Sequence, residues 1–280
     1  MNTIEKRMVE ILIEMKNNYH VTGVKAEFEA EGTRMEEAMR LKEVSLKAGL
    51  GLNLKIGGCE AIKDMFDALS LGAERIIAPM VETPYALKKY LHATKIAFAD
   101  RDSDVEFLIN LETNTSCRNF KEMLELPEIS QLSGIVIGRV DLTGSMGLSR
   151  NAINDREILN IALKMSNIAK LKGLQVVVGG GVSVHSKSFF NSFPHNHLDR
   201  FETRKLVFSC PGALNNPEEA FLKAVEFELL WLKNKKKYYG SIHREDDERL
   251  AMMEKRYQDS IDAINDCKNL KMAVTAHDFN

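Results

Sequence analysis

The chain has 280 residues, 44% of them hydrophobic, with one Trp and a net charge of −2. That length accommodates one large α/β domain with a full core, and the near-neutral charge argues against a nucleic-acid surface, which needs a basic stripe. The cysteines, Cys59, Cys117, Cys210 and Cys267, are far apart and form no C-x-x-C pair, which argues against a disulfide framework or a zinc site and for a reducing compartment.

Residues 1–7 open an amphipathic helix with apolar Ile4, Met8, Ile11, Leu12 and Met15. It lacks the uninterrupted apolar core of a signal peptide. No stretch approaches the apolar length that crosses a membrane, so a soluble, cytoplasmic protein is expected. The one basic run, residues 233–237, reads as a solvated helix end.

Downstream, short apolar runs alternate with longer helical periodicities, the pattern of parallel strands joined by crossover helices. Residues 21–28 read as a strand and 34–48 as a helix closed by Gly49. A strand at 52–56 and a helix at about 60–71 follow, with Gly72 at the C-cap position. Residues 75–80 form the next strand, and Thr83-Pro84 starts a helix with an N-cap and a proline in its first turn.

Residues 95–99 and 105–111 are two further strand candidates, but the acidic linker between them is too short for a crossover helix. Either one barrel helix has been lost or residues 95–99 are not a barrel strand. Strands at 134–138, 174–178 and 205–209 complete a count of eight, the number that closes a (β/α)8 TIM barrel. The domain boundary is placed at 215/216. Residues 216–280 form a C-terminal extension of two long helices, 217–235 and 244–267, whose paired apolar stripes suit an oligomerisation arm.

Two of the strand runs finish on a lone carboxylate. Residues 108–111 lead into Glu112, and the run from Gly134 to Val140 leads into Asp141. The carboxyl ends of strands are where such barrels place chemistry. Two carboxylates there suit a hard divalent cation, which takes oxygen ligands and keeps positions open for water or substrate. Taken singly, Glu112 could instead cap the helix that follows, and Asp141 could be a turn or N-cap residue.

Other residues near these ends carry candidate roles. Gly138 and Gly144 suggest a loop whose backbone approaches a small anion, and Ser145 could add a hydroxyl to it. Glu27, Glu29 and Glu31 alternate, so an extended segment would put all three on one face. Their mutual repulsion would raise at least one pKa, which makes Glu29 or Glu31 a candidate general acid–base. Arg34 could neutralise them or reach a substrate carboxylate. Arg139 could project towards a substrate anion or to solvent. Glu82 either braces the site or caps its helix. His185 follows the glycines 179–181, and His195 and His197 read as a surface loop.

The runs LKIGG (54–58), IIAPMVET (76–83), INLETNTS (109–116) and GIVIGRVDLTGSMG (134–147) resemble successive strand ends of the HpcH/HpaI aldolase and citrate lyase β-subunit family. This family lies within the pyruvate- and phosphoenolpyruvate-binding TIM barrels. The resemblance covers roughly residues 21–209. It implies a barrel that binds Mg²⁺ or Mn²⁺ through Glu112 and Asp141. It further implies making or breaking a carbon–carbon bond of pyruvate, oxaloacetate or a related 2-oxo acid through a metal-stabilised enolate. Lys55 stands near where many family members have an arginine that contacts the 2-oxo oxygen, although an ammonium is a point charge and not a planar fork.

The chain departs from the family's D-x-E-H-G-type sequence at the first strand end, where it has Glu27 to Arg34 and no acid–base histidine. The expectation is therefore a class II, metal-dependent aldolase-type lyase or condensing enzyme. Lys55, Glu29 and Glu31 would be catalytic, Glu112 and Asp141 would hold the metal, and Gly138, Arg139, Ser145 and Arg34 would meet the substrate. A small 2-oxo acid and a second copy of the chain are its expected partners. Alternatives are a phosphoenolpyruvate- or acyl-CoA-using enzyme on the same barrel, and a catalytically silent barrel that acts as a binding or scaffold protein.

Overall fold

A computed structural model describes residues 1–98 and 104–277, with side chains to residue 262. In chain order the elements begin α1 (Thr3–Tyr19), β1 (Val21–Glu27), α2 (Met35–Lys47), β2 (Gly51–Lys55), α3 (Ile62–Leu71), β3 (Arg75–Ala78), α4 (Pro84–Phe98), β4 (Glu106–Leu111), α5 (Asn114–Met123) and β5 (Gly134–Gly138). They continue with α6 (Arg139–Ser145), α7 (Arg156–Leu171), β6 (Gln175–Gly179), α8 (Lys187–Asn191), β7 (Arg200–Glu202), β8 (Leu206–Ser209) and α9 (Pro217–His277). The eight strands pair in sequence order and close a barrel of the TIM class.

Two expectations about the strands are corrected. Residues 95–98 are the last turn of α4, which buries Ala93, Thr94, Ala97 and Phe98 on one side; Ala99 lies outside the described residues. The remaining strand is instead β7, which pairs parallel to β6. The last strand, β8, runs antiparallel to both β7 and β1. Only residues 203–205 link β7 to β8, enough for a hairpin and too few for a crossover helix.

Alternation along the strands sorts their side chains into two sets. Val24, Leu54, Ile76, Ile109, Ile137, Val178 and Phe201 point outward and join the core beneath the helices, where Met8, Ile11, Leu12 and Met15 of α1 also bury. Inside the barrel, Ile77, Leu108, Val136 and Val177 form a small apolar plug. Polar side chains occupy the interior at both ends of it, with Lys25, Lys55, Asn110, Glu112 and Glu202 at the carboxyl ends of their strands.

The C-terminal extension is one helix and not two, for α9 continues through Gly240. The chain divides into two compact units, Met1–Trp231 and Leu232–Asn280. The first unit thus reaches beyond the boundary expected at 215/216, because Ala220, Phe221, Ala224, Phe227 and Trp231 bury in the barrel's outer core. Among the described residues, no helix is long and apolar enough to cross a membrane.

Candidate active site

A cavity of about 550 Å³ opens at the carboxyl ends of the parallel strands. Glu112 is at its base and is 1% exposed. Its Oε1 accepts from the Met80 amide at 3.0 Å and its Oε2 from the Asn110 side-chain amide at 2.7 Å. The Met80 amide is aimed by a left-handed backbone, φ 50°, a strained conformation of the kind that clusters at functional sites. Gly138 packs directly on the carboxylate, since a Cβ there would lie 2.7 Å from Glu112 Cβ and 2.8 Å from Oε2. Glu82 accepts from Thr113 Oγ1 at 2.6 Å, which braces the residue after Glu112.

Lys55 lies between two carboxylates, 2.8 Å from Glu29 and 3.6 Å from Glu112. Burial works against its charge, but Glu112, Glu29 and Glu27 outweigh it and raise the Lys55 pKa. Burial also dominates at Glu112, where it pushes the carboxyl pKa up against the pull of Lys55, the Met80 amide and Asn110. The like charge of Asp141 pushes the same way. Asp141 lies in the first turn of α6 and lines the same cavity.

Four contributors to this site were not singled out in the sequence. Lys25 is buried among apolar strand residues and pairs with Glu202 at 2.6 Å and Glu27 at 2.9 Å. Burial opposes its charge, yet Glu202 and Glu27 together raise its pKa. Asn110, two residues before Glu112 and so on the same strand face, has a buried Oδ1 without a hydrogen-bond partner. Glu202 closes the ring from β7. Arg150 lies on the rim. A lysine in the middle of an apolar strand was the one legible signal.

Several expected site residues are elsewhere. The segment after β1 does not stay extended but bends at Phe28 and turns through Glu31, with the Gly32 amide donating to the Glu29 carbonyl at 3.1 Å. This leaves Glu29 lining the cavity and takes Glu31 out of it, into ion pairs with Lys205 and Arg204. The expected pKa rise also fails at Glu27. Burial pushes it up, but Lys25, Lys55 and Lys205 hold it below the usual carboxylate value. Lysines are interleaved with these acids, and a sequence pattern of the acids alone omits them.

Arg139 meets neither substrate space nor solvent. It is 0% exposed and its guanidinium bonds to the Gly179 and Gly180 carbonyls at 3.1 and 2.8 Å and to Asn154 at 2.6 Å. It stacks against Phe189 and Phe190 and so clamps the glycine turn from beneath. Ser145 ends α6, accepts from the Asn114 amide at 2.9 Å, and is outside the cavity lining. Arg34 is exposed at the start of α2 and is likewise outside it.

Fitness for a divalent cation is tested by charge. Seven carboxylates line the cavity (Glu27, Glu29, Glu112, Asp141, Glu202, Glu218 and Glu228) against four cations (Lys25, Lys55, Arg150 and Arg204). Lys187 pairs with Glu218 from outside the lining, but carboxylates still outnumber cations, which disfavours an organic anion alone and favours a cation that could bring one in. No cluster of three or more His, Cys, Asp or Glu side chains disposed to hold a metal occurs among the described residues. Two carboxylates with open positions is the pattern in which Mg²⁺ keeps its waters and meets substrate oxygens. The donor set fits.

Residues 54–184 match the family model described as HpcH/HpaI aldolase/citrate lyase. Over that segment, just under half of the chain, the sequence is similar to this family. An HpcH/HpaI aldolase from Desulfitobacterium hafniense DCB-2 is similar in fold, with 12% identity, a TM-score of 0.56, and coverage of 72% of this chain and 82% of that one. An HpcH/HpaI aldolase/citrate lyase family protein from Burkholderia cenocepacia J2315 gives 12% identity and a TM-score of 0.53, covering 87% of this chain and all of the other. At such identity the likeness concerns the fold. No curated protein matches the sequence. The matched segment holds Lys55, Asn110, Glu112, Gly138 and Asp141, whereas Lys25, Glu29 and Glu202 come from outside it.

Proposed function

We propose that the protein is a carbon–carbon lyase or condensing enzyme that uses Mg²⁺ or Mn²⁺ and acts on pyruvate, oxaloacetate or a related 2-oxo acid. The observation that carries this reading is the cavity shared by buried Glu112 and Lys55 and exposed Asp141 on a barrel whose central segment matches an aldolase and lyase family. Glu112 and Asp141 would hold the cation, and the unpartnered Asn110 carbonyl supplies a further oxygen from a side chain already bonded to Glu112. When bound, the cation lowers the energy of negative charge that develops on the substrate's 2-oxo oxygen.

Lys55, held protonated by its carboxylate neighbours, adds a second positive charge on that side of the cavity. Glu29 is the carboxylate assigned to move a proton to or from the substrate carbon, in place of the family's histidine. It lines the cavity, paired with Lys55, whereas Glu31 is outside the lining and paired with Lys205 and Arg204. Arg150 lies on the rim, exposed, and is assigned to the substrate carboxylate.

Exchange of pyruvate methyl protons in deuterated water, followed by NMR, tests this without knowledge of the second substrate. Exchange is expected with Mn²⁺ or Mg²⁺ and not with chelator. No exchange with either metal would overturn the proposal.

We also propose a homo-oligomer that depends on the second unit. Leu250, Met253 and Tyr257 are exposed at helical spacing on α9, an apolar stripe that requires a covering surface. A chain ending at Trp231 is expected to show a smaller assembly by light scattering than the full chain. An unchanged assembly would refute this role.

A further inference from the structure

A second cavity, of about 590 Å³, lies at the opposite end of the barrel, where β1, β3, β6 and β7 begin. Two guanidiniums line it. Arg75 donates through Nε to Glu106 and through Nη1 to Asn53 Oδ1 at 3.2 Å. Arg200 donates through Nη2 to Gln175 and to the same Glu106 at 3.3 Å. Glu106 is thus shared by two arginines and also accepts from Gln175 at 2.9 Å.

Arg200 is 9% exposed, and its Nε has no hydrogen-bond partner. The nearby Asp199 does not compensate, because it pairs with Lys170 and accepts from the Val176 amide at 2.6 Å. Burial and the neighbouring Arg75 pull the Arg200 pKa down, with Glu106 and Asp199 opposing them. A buried charge left short of acceptors is costly to a fold unless something completes it. The cavity wall beside these groups is apolar, with Phe190, Phe193 and Leu198 on one side and exposed His195 at the edge.

We propose that this cavity binds a small organic anion, a carboxylate or phosphate head on an apolar body, with the head at Arg200 and the body against Phe190 and Phe193. The N-terminal face of such barrels ordinarily serves stability; here a buried guanidinium with an unpartnered Nε lines a cavity large enough for a ligand. The site is separate from the proposed active site, since the plug of Ile77, Leu108, Val136 and Val177 lies between the two ends of the barrel interior.

Calorimetric titration of the full chain with phenyl phosphate, benzoate and inorganic phosphate tests the proposal, the first two to tell the head groups apart and the third to isolate the apolar body. Phenyl phosphate or benzoate is expected to bind, and inorganic phosphate about tenfold more weakly or less. Arg200→Gln is expected to weaken the bound aromatic anion about tenfold or more, as the loss of a charge-assisted hydrogen bond does. His195→Glu, at an exposed position that leaves the core untouched, is expected to weaken it too, even if Arg200→Gln fails to fold. Lys55→Met, at the other end of the barrel, is expected to leave it unchanged. Absence of binding by both aromatic anions at millimolar concentration, or equal affinity in wild type and His195→Glu, would overturn the proposal, as would a loss confined to Lys55→Met.

Discussion

Glu112→Gln is expected to slow metal-dependent exchange of pyruvate methyl protons by roughly a thousandfold, equivalent to about 4 kcal/mol of lost transition-state stabilisation. The substitution preserves side-chain shape but removes the buried carboxylate beside Asp141 and Lys55. Stability of the metal-free protein is expected to move the other way. Burial raises the Glu112 pKa, so in the window between the unfolded value of about 4.3 and the higher folded value the native state binds more protons than the unfolded chain. Stability therefore falls as pH rises through that window, and the full penalty is present above it. Gln carries no such penalty. Thermal melts at neutral pH without metal should thus show Glu112→Gln at or above wild type. A variant that loses exchange only because it unfolds would show a lowered melting temperature, which would sink the assignment of Glu112 to chemistry.

Lys25→Met is expected to cost about 3 kcal/mol at neutral pH, because it leaves Glu27 and Glu202 as buried carboxylates without their ammonium. For a domain of this size that corresponds to a fall in Tm of roughly 6–12 °C. In wild type the Lys25 pKa is raised. Its contribution is therefore fully present below the unfolded lysine value of about 10.4 and is lost only as pH rises through the folded value. The Glu27 pKa is lowered, so its contribution is present above the unfolded value of about 4.3 and is lost as pH falls through the folded value. Without Lys25 the strongest pull holding the Glu27 pKa down is gone, so protonation of Glu27 costs the variant less than it costs wild type. The stability gap between wild type and variant should narrow as pH drops from 7 towards 4.5 in urea titrations. A gap that stays constant with pH, or one below about 1 kcal/mol, would show that the pair is merely a solvated surface contact.

Much of the barrel was legible in order and number because apolar strand runs bounded by turn residues announce themselves. Strands 134–138 and 105–111 were placed to within a residue. Strand β7 was not, and its sequence explains why. Of Arg200, Phe201 and Glu202, only Phe201 faces the apolar core, while the other two face the barrel interior among polar groups. A three-residue strand charged at both ends leaves no apolar signature. Residues 95–98 misled for the opposite reason, for a short apolar run can end a buried helix as readily as form a strand.

The sequence by itself determined the α/β alternation, the outward-facing core, and the delivery of Glu112 and Lys55 to strand ends; Asp141 instead lies in the first turn of α6, beyond the end of β5. These follow from local periodicity, which a chain carries residue by residue. Tertiary structure decided which charges meet. It set Lys25 between Glu27 and Glu202, gave Glu29 to the cavity and Glu31 to Lys205, turned Arg139 inward beneath Gly179 and Gly180, and reversed β8 through a three-residue link. Ion pairing and burial depend on distances between strands far apart in sequence. Closure of the barrel fixes those distances, and no local pattern encodes them.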